Sequence, residues 1–264
     1  MTFRRRKLAI GGLFVALVSL ADSSGAAEVI KEPLKDDFLR SGVMARLLAS
    51  FDAHADAARK WYVDAFHGRP VARETFDRFG QSLETDRIVS FTYEYNRDGN
   101  AMTHVYHGRS GANNPWRALP SSRRAAPYAS YFSRVSADTV VWNRERLPAG
   151  RDAERKIARQ IERDIRDGLV SSGGTLRGFS SAAPCGACES ALRTLSDRWG
   201  ISVRVTHYVE GGSAHRRFQN FRKQYIESIY AALNGTSLNR PYAASSGALP
   251  LPTCMRTSQV EVAE

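Results

Sequence analysis

The stretch that decides the fold spans residues 151–208 and reads RDAERKIARQIERDIRDGLVSSGGTLRGFSSAAPCGACESALRTLSDRWGISVRVTHY. Apolar residues recur at every fourth position from Ala153 to Ile165, which is the spacing of one helix face. From Ile201 to Val205 they alternate with polar residues, which is the spacing of a strand with one buried face. The stretch predicts a helix over 153–168, a strand over 175–180, a helix over 186–199 and a strand over 201–208. This alternation favours a sheet covered by helices, an α/β fold.

The flanking segments complete the organisation of the chain. Two alternating runs on either side of Arg97-Asp-Gly-Asn100 predict a β-hairpin over 87–107, and a further helix follows the turn at Gly211-Gly212. We expect residues 109–150 to be a long loop with short ordered pieces. The predicted parts are a signal peptide (1–27), a helical N-terminal region (28–85), an α/β domain (86–235) and a flexible C-terminal tail (236–264).

The N-terminal residues have the order of parts of a secretory signal peptide. A basic run from Arg4 to Lys7 precedes an apolar stretch of 14 residues, Leu8 to Ala21, and small residues follow up to Ala27. The apolar stretch is short for a membrane span. We therefore expect a secreted or periplasmic protein with no stable membrane insertion after cleavage, with delivery into a target cell as one further step.

The chain carries a net positive charge, and it has enough apolar residues to form a core. It has 264 residues, a hydrophobic fraction of 42% and 38 Lys and Arg against 27 Asp and Glu, which gives a net charge of +11. Loss of residues 1–27 reduces the net charge from +11 to +8. Such a surface attracts phosphate groups and acidic membranes at long range, although a high-GC genome, which favours Arg codons, predicts the same composition.

Two cysteines form the clearest candidate site. Cys185 and Cys188 stand in Pro184-Cys-Gly-Ala-Cys188, at the predicted first turn of a helix. An i, i+3 spacing places both sulfurs on one side of the helix, and a helix N-terminus favours the thiolate, which is the form that binds metal. The pair therefore predicts a metal site or a redox disulfide rather than a structural one, with the third cysteine, Cys254, far along the chain.

Two carboxylates lie at the start of the other predicted helix of the stretch, Asp152 just before it and Glu154 in its first turn. Two thiolates fill two of the four coordination positions of a tetrahedral zinc ion. Asp152 can supply a third ligand, and a water molecule can occupy the fourth position. Glu154 lies two residues further on, within reach of that water, where a carboxylate can act as proton shuttle. We therefore predict Asp152, Cys185 and Cys188 as zinc ligands and Glu154 as the catalytic residue.

This arrangement resembles the zinc-dependent nucleic-acid and nucleotide deaminases, whose pattern is His-x-Glu followed by Pro-Cys-x-x-Cys. The run 151–205 is similar to the deaminase domains of bacterial secreted polymorphic toxins, some of which carry Asp at the position of Asp152. The resemblance implies a three-layer α/β/α sandwich with a mixed sheet over 86–235. It also implies a secreted toxin or effector that deaminates a nucleobase in nucleic acid or a free nucleotide, and an immunity protein as partner.

Two other interpretations of the same residues stay open. Cys185 and Cys188 also suit an exported thiol–disulfide oxidoreductase, although Ala183-Pro184 precede them where thioredoxin-like proteins have Trp. Alternatively, zinc stabilises a non-catalytic module, and the Arg-rich surface binds nucleic acid.

Overall fold

The computed structural model describes residues 29–34, 37–116, 128–131, 138–141 and 152–235 of the protein. Over these residues the chain forms a mixed sheet with helices on both faces. The strands are β1 (Val29–Pro33), β2 (Ile88–Arg97), β3 (Asn100–Arg109), β4 (Asp138–Val140), β5 (Thr175–Ser180) and β6 (Ser202–His207). The helices are α1 (Asp37–Phe66), α2 (Arg73–Thr85), α3 (Ala153–Arg166), α4 (Gly186–Trp199) and α5 (Ser213–Leu233). The predicted signal peptide, C-terminal tail and Cys254 lie outside the described residues.

The sheet has six strands in the order β1-β6-β5-β2-β3-β4. β5 and β6 pair in parallel because the crossover helix α4 joins them, whereas β2 and β3 form an antiparallel hairpin. Asp98 and Gly99 turn the hairpin with φ values of 51° and 80°, the left-handed region that Asp and Gly tolerate best. The prediction of an α/β fold with a mixed sheet is confirmed.

The alternation of side chains along β2 separates the two faces of the sheet. Val89, Phe91 and Tyr93 point towards α3 and α4, where they share an apolar cluster with Ile157 and Leu192. Ser90 and Thr92 alternate with them and face α1, and the α1 residue Arg46 donates a hydrogen bond to the Thr92 hydroxyl. Helices α2 and α5 pack with α1 around a second apolar cluster. The three-layer α/β/α arrangement is thus also confirmed, but it is not confined to residues 86–235, because α1 and α2 of the N-terminal region form one helical layer together with α5.

The N-terminal region agrees with its prediction except at its start. α1 and α2 are helical as expected, but Val29–Pro33 form strand β1, which pairs in parallel with β6. The helical prediction is wrong for these five residues, because a segment this short carries no period that separates helix from strand. Its position at the sheet edge also tolerates Pro33, which has no backbone N–H to donate. The N-terminal region therefore supplies one strand of the same sheet.

The expected loop over 109–150 contains short ordered pieces where it is described. These are a single 3-10 turn at Tyr128–Tyr131 and the three-residue strand β4, which pairs in parallel with β3. Among the described residues, no helix is both long and apolar enough to cross a bilayer.

Candidate metal centre

The carboxylate of Asp152 lies at the start of α3. Asp152 is the N-cap residue, with an extended backbone (φ −74°, ψ 136°), yet its side chain makes no capping hydrogen bond. Its carboxylate is 41% exposed and lies 3.8 Å from the guanidinium of Arg155. Because Asp152 does not cap the helix, its oxygens are available as ligands.

The start of α4 presents the two sulfurs. Cys185 is the N-cap residue, and its Sγ accepts a hydrogen bond from the backbone N–H of Cys188 at 3.3 Å. Cys185 is half-buried, Cys188 is buried, and both thiols are free. The cap geometry places both sulfurs on the same side of the first turn, as their spacing predicted.

The sheet brings these two helix starts together. One ligand atom each from Asp152, Cys185 and Cys188 can be chosen so that all three lie within 4.8 Å of one another. Two sulfurs bound to one tetrahedral zinc ion are about 3.8 Å apart, given Zn–S bonds of about 2.3 Å. The predicted ligands therefore form a group that fits a single metal ion, with small side-chain adjustments.

Glu154 lies beside this group and is fully buried. Its Oε1 is 3.4 Å from Nη1 of Arg87 and 3.3 Å from the hydroxyl of Ser180. Its Oε2 is buried without a hydrogen-bond partner among the described residues. A buried carboxylate oxygen that lacks a partner is costly, and such atoms in native proteins commonly mark functional sites. An additional bound group at Oε2 would remove that cost.

Arg87 and Ser180 belong to the site but were not predicted from the sequence. Nη1 of Arg87 is 3.9 Å from Sγ of Cys188, so this guanidinium lies between the buried carboxylate and the buried sulfur. The two residues come from neighbouring strand ends, because Val89 at the start of β2 pairs with Ser180 at the end of β5. Only this pairing makes them neighbours, so no sequence spacing could have indicated them.

The thiol of Cys188 has a perturbed acidity. Burial raises its pKa well above the ordinary value, and the negative charge of Glu154 raises it further. A metal ion or the nearby Arg87 guanidinium opposes both effects, since each stabilises the thiolate. The buried sulfur is therefore suited to act as a ligand and poorly suited to act as a free nucleophile.

The group opens onto a cleft of about 710 Å³. Asp152, Glu154 and Cys185 contribute to one part of its lining, and Arg87 and Arg222 contribute to the rest. This volume lies in the range of small-molecule sites. The cleft therefore has room for a ligand of nucleotide size beside the two carboxylates and the half-buried Cys185.

No protein-family model, curated protein or solved structure matches this chain. The class of protein that its fold and site define is therefore an α/β protein with a candidate Asp-Cys-Cys metal centre in a cleft.

Proposed function

We propose that the protein is a zinc-dependent deaminase that hydrolyses an exocyclic amine of a nucleobase, in nucleic acid or in a free nucleotide. The observation that supports this most is the pairing of a three-ligand metal group with a fully buried Glu154 whose Oε2 has no partner among the described residues. A structural metal site needs no such carboxylate, whereas a hydrolytic site needs a proton carrier at this place.

The ligand set favours zinc over other common ions. Two thiolates and one carboxylate suit zinc, whereas Mg²⁺ and Ca²⁺ prefer oxygen ligands throughout. Three protein ligands leave a fourth position open, as in catalytic zinc sites. Bound zinc supplies Lewis acidity, which makes hydroxide available from water near neutral pH. An Asp ligand adds negative charge to the centre and should make that effect weaker than a His ligand would.

Within this proposal Glu154 moves the protons. Its Oε2 takes a proton from the attacking water, whose oxygen forms a bond to the ring carbon that carries the amine. The carboxyl group gives that proton to the ring nitrogen next to the attacked carbon, then takes the proton of the new hydroxyl group and passes it to the exocyclic nitrogen. The C–N bond breaks, ammonia leaves, and the ring carbon becomes a carbonyl. Arg87 holds Oε1 in place, so that Oε2 is the oxygen that accepts and donates the protons.

We further propose that the protein acts outside the cell that makes it, as a toxin or effector with an immunity protein as partner. The support is the signal-peptide pattern of residues 1–27 and the resemblance of 151–205 to secreted toxin deaminases.

The experiment measures zinc content and ammonia release on the same purified protein, against nucleosides, nucleotides and single-stranded DNA and RNA. We expect about one zinc per chain and ammonia from at least one substrate. Glu154→Gln should retain zinc and lower the rate by about 10²- to 10⁴-fold, the usual contribution of general acid–base catalysis.

Glu162→Gln is the matched control, because Glu162 also lies on α3 but pairs with Arg166 and Arg198. This variant should keep the wild-type rate. Reversible Cys185–Cys188 oxidation without zinc would favour the oxidoreductase instead, and zinc binding without ammonia release would favour the non-catalytic module.

A further inference from the structure

The cleft has a second wall, formed by α5 and distinct from the metal group. His215, Gln219 and Arg222 line it at spacings of about one helical turn, and Lys223, next to Arg222 in the sequence, lines it as well. The metal group offers ligands and a proton carrier, whereas the α5 wall offers hydrogen-bond donors and positive charge. A ligand that spans the cleft therefore meets two chemically different regions.

Arg222 is the most unusual residue of the α5 wall. Its side chain is 1% exposed, and its guanidinium lies between the rings of Phe51 and Phe218, at 5.3 and 5.5 Å from their centroids. Its hydrogen bonds within the described residues go to uncharged acceptors, the carbonyl of Asp86 at 2.9 Å and the side chain of Gln219 at 3.4 Å. Its Nε is buried without a partner there.

The charge of Arg222 is thus only partly compensated. Burial lowers its pKa to about 10, so the guanidinium remains protonated at neutral pH. Asp86 and Glu84, which also line the cleft, raise that pKa and Arg109 lowers it, but the Asp86 carboxylate is already paired with Arg109. A buried cation whose contacts are hydrogen bonds to neutral groups is stabilised when an anion arrives.

One further side chain extends this positive region. Lys223 follows Arg222 on α5 and is exposed, whereas His215, near the start of the same helix, accepts a hydrogen bond from the backbone N–H of Gly211 at Nδ1. Glu210 also lines the cleft, but it is exposed and lies before α5 rather than beside Arg222. Arg222 and Lys223 supply the donors that a phosphate group accepts from.

We propose that the α5 wall binds the terminal phosphate of a free nucleotide, with Arg222 and Lys223 as its ligands, while the base lies at the metal group. This assignment rests on the proposed deaminase function for the base. A terminal phosphate fits better than a phosphodiester, because a cation that is 1% exposed is reached by a chain end more readily than by a backbone that continues on both sides. The chemical class of substrate is a nucleoside monophosphate.

The first test uses inorganic phosphate as the probe and calorimetry on the zinc-loaded protein. Lys223→Gln should weaken phosphate binding about threefold, in the range of an exposed charge pair. Arg222→Lys keeps the charge but loses the planar fork, and should weaken binding about tenfold or more. Arg217→Gln is the control. This substitution also removes one positive charge from α5, but Arg217 is exposed, packs on Phe221 and does not line the cleft.

The second test compares ammonia release from a nucleoside, its 5′-monophosphate and an oligonucleotide that carries the same base. We expect the monophosphate to have the highest kcat/KM, with that advantage reduced about threefold in Lys223→Gln. Circular dichroism establishes that each variant is folded, and Lys223→Gln keeps the test decisive if Arg222→Lys does not fold.

The outcomes separate this inference from the function on which it rests. Phosphate binding that depends on Lys223 without ammonia release from any substrate would leave the anion site standing and overturn the deaminase. Ammonia release with equal rates for nucleoside and monophosphate, or with a preference for the oligonucleotide, would overturn the terminal-phosphate site. Equal effects of Lys223→Gln and Arg217→Gln on phosphate binding would overturn it as well.

Discussion

The guanidinium of Arg87 contacts one oxygen of Glu154 and leaves the other without a partner. Nη1 lies 3.4 Å from Oε1, while Oε2 is buried with no hydrogen bond among the described residues. Ser180 also approaches Oε1, at 3.3 Å, but its single hydroxyl proton has a closer acceptor in the carbonyl of Ala182 at 2.7 Å. Arg87 is therefore the main group that orients the carboxylate.

Replacement of Arg87 should impair catalysis without removing the metal. Arg87→Gln loses a charge-assisted hydrogen bond to Glu154, so we expect kcat for ammonia release to fall about tenfold or more while KM changes less. Arg87→Lys should recover part of the loss. Arg97→Gln, at the other end of β2 where Arg97 contacts the carbonyl of Leu169, is the control. Equal kcat in the Arg87 and Arg97 variants would contradict the positioning role.

The buried carboxylate of Glu154 should lower the free energy of unfolding of the metal-free protein. Its carboxylate is fully buried with one oxygen unpartnered, and a neutral amide of the same shape is cheaper to bury. We expect Glu154→Gln to raise the free energy of unfolding by about 1 kcal/mol, measured with urea after chelation. Glu162→Gln should lower it slightly instead, since Glu162 has two ion pairs to lose. A loss of stability in Glu154→Gln would show that Arg87 compensates the buried charge.

Metal removal should destabilise the fold, because the ligand group joins the starts of α3 and α4. A ligand present at about 1,000 times its Kd stabilises the native state by about 4 kcal/mol. We therefore expect a chelator to lower the thermal midpoint of the wild-type protein, and Cys188→Ser to abolish that response. Cys254→Ser, which replaces the cysteine that is not among the predicted ligands, should respond to the chelator as the wild type does.

His54 should make the fold sensitive to mild acid. It is 3% exposed on α1, and burial lowers its pKa well below the ordinary value, with the charges of Arg109 and Lys156 acting in the same direction. Above about pH 6.5 the residue is neutral in both folded and unfolded chains, so it has no effect on stability. Below that pH the unfolded chain binds the proton more readily, and stability falls by up to about 1.4 kcal/mol per pH unit.

Urea unfolding between pH 7 and pH 5 measures this slope. His54→Gln should flatten it, even if that variant is less stable at pH 7, because the titrating group is gone. His67→Asn is the control, since His67 is exposed and has a φ of 55°, which Asn tolerates. The same slope in both variants would assign the acid sensitivity to other groups.

Gly178 should be required for the packing of β5 on β2. A Cβ at this position would lie 2.4 Å from a ring atom of Phe91, which is fully buried. We expect Gly178→Ala to cost about 1–3 kcal/mol, the usual cost of overpacking a core. Gly42→Ala on α1 has no neighbour within 4 Å of the new Cβ and should stabilise the protein by about 0.5–1 kcal/mol. Thermal unfolding of both variants checks this pair.

Local pattern alone was enough to predict much of the fold. The four-residue recurrence from Ala153 to Ile165 and the alternation from Ile201 to Val205 predicted α3 and β6, since helical and strand periods differ over that length. The turn at Asp98 and Gly99 predicted the hairpin for the same kind of reason. β1 was missed because five residues do not show a period, and its partner β6 is more than 160 residues away.

For the candidate site, too, some features follow from local sequence and others only from the tertiary structure. By itself the sequence determined the spacing of Cys185 and Cys188, and the position of Asp152 and Glu154 at the start of a helix, because both depend only on nearby residues. Only the tertiary structure decided that these two helix starts meet, that Arg87 contacts Glu154, and that Arg222 lines the same cleft. Those contacts join residues that are distant along the chain, and their neighbourhood depends on strand order and helix packing, which no local spacing encodes.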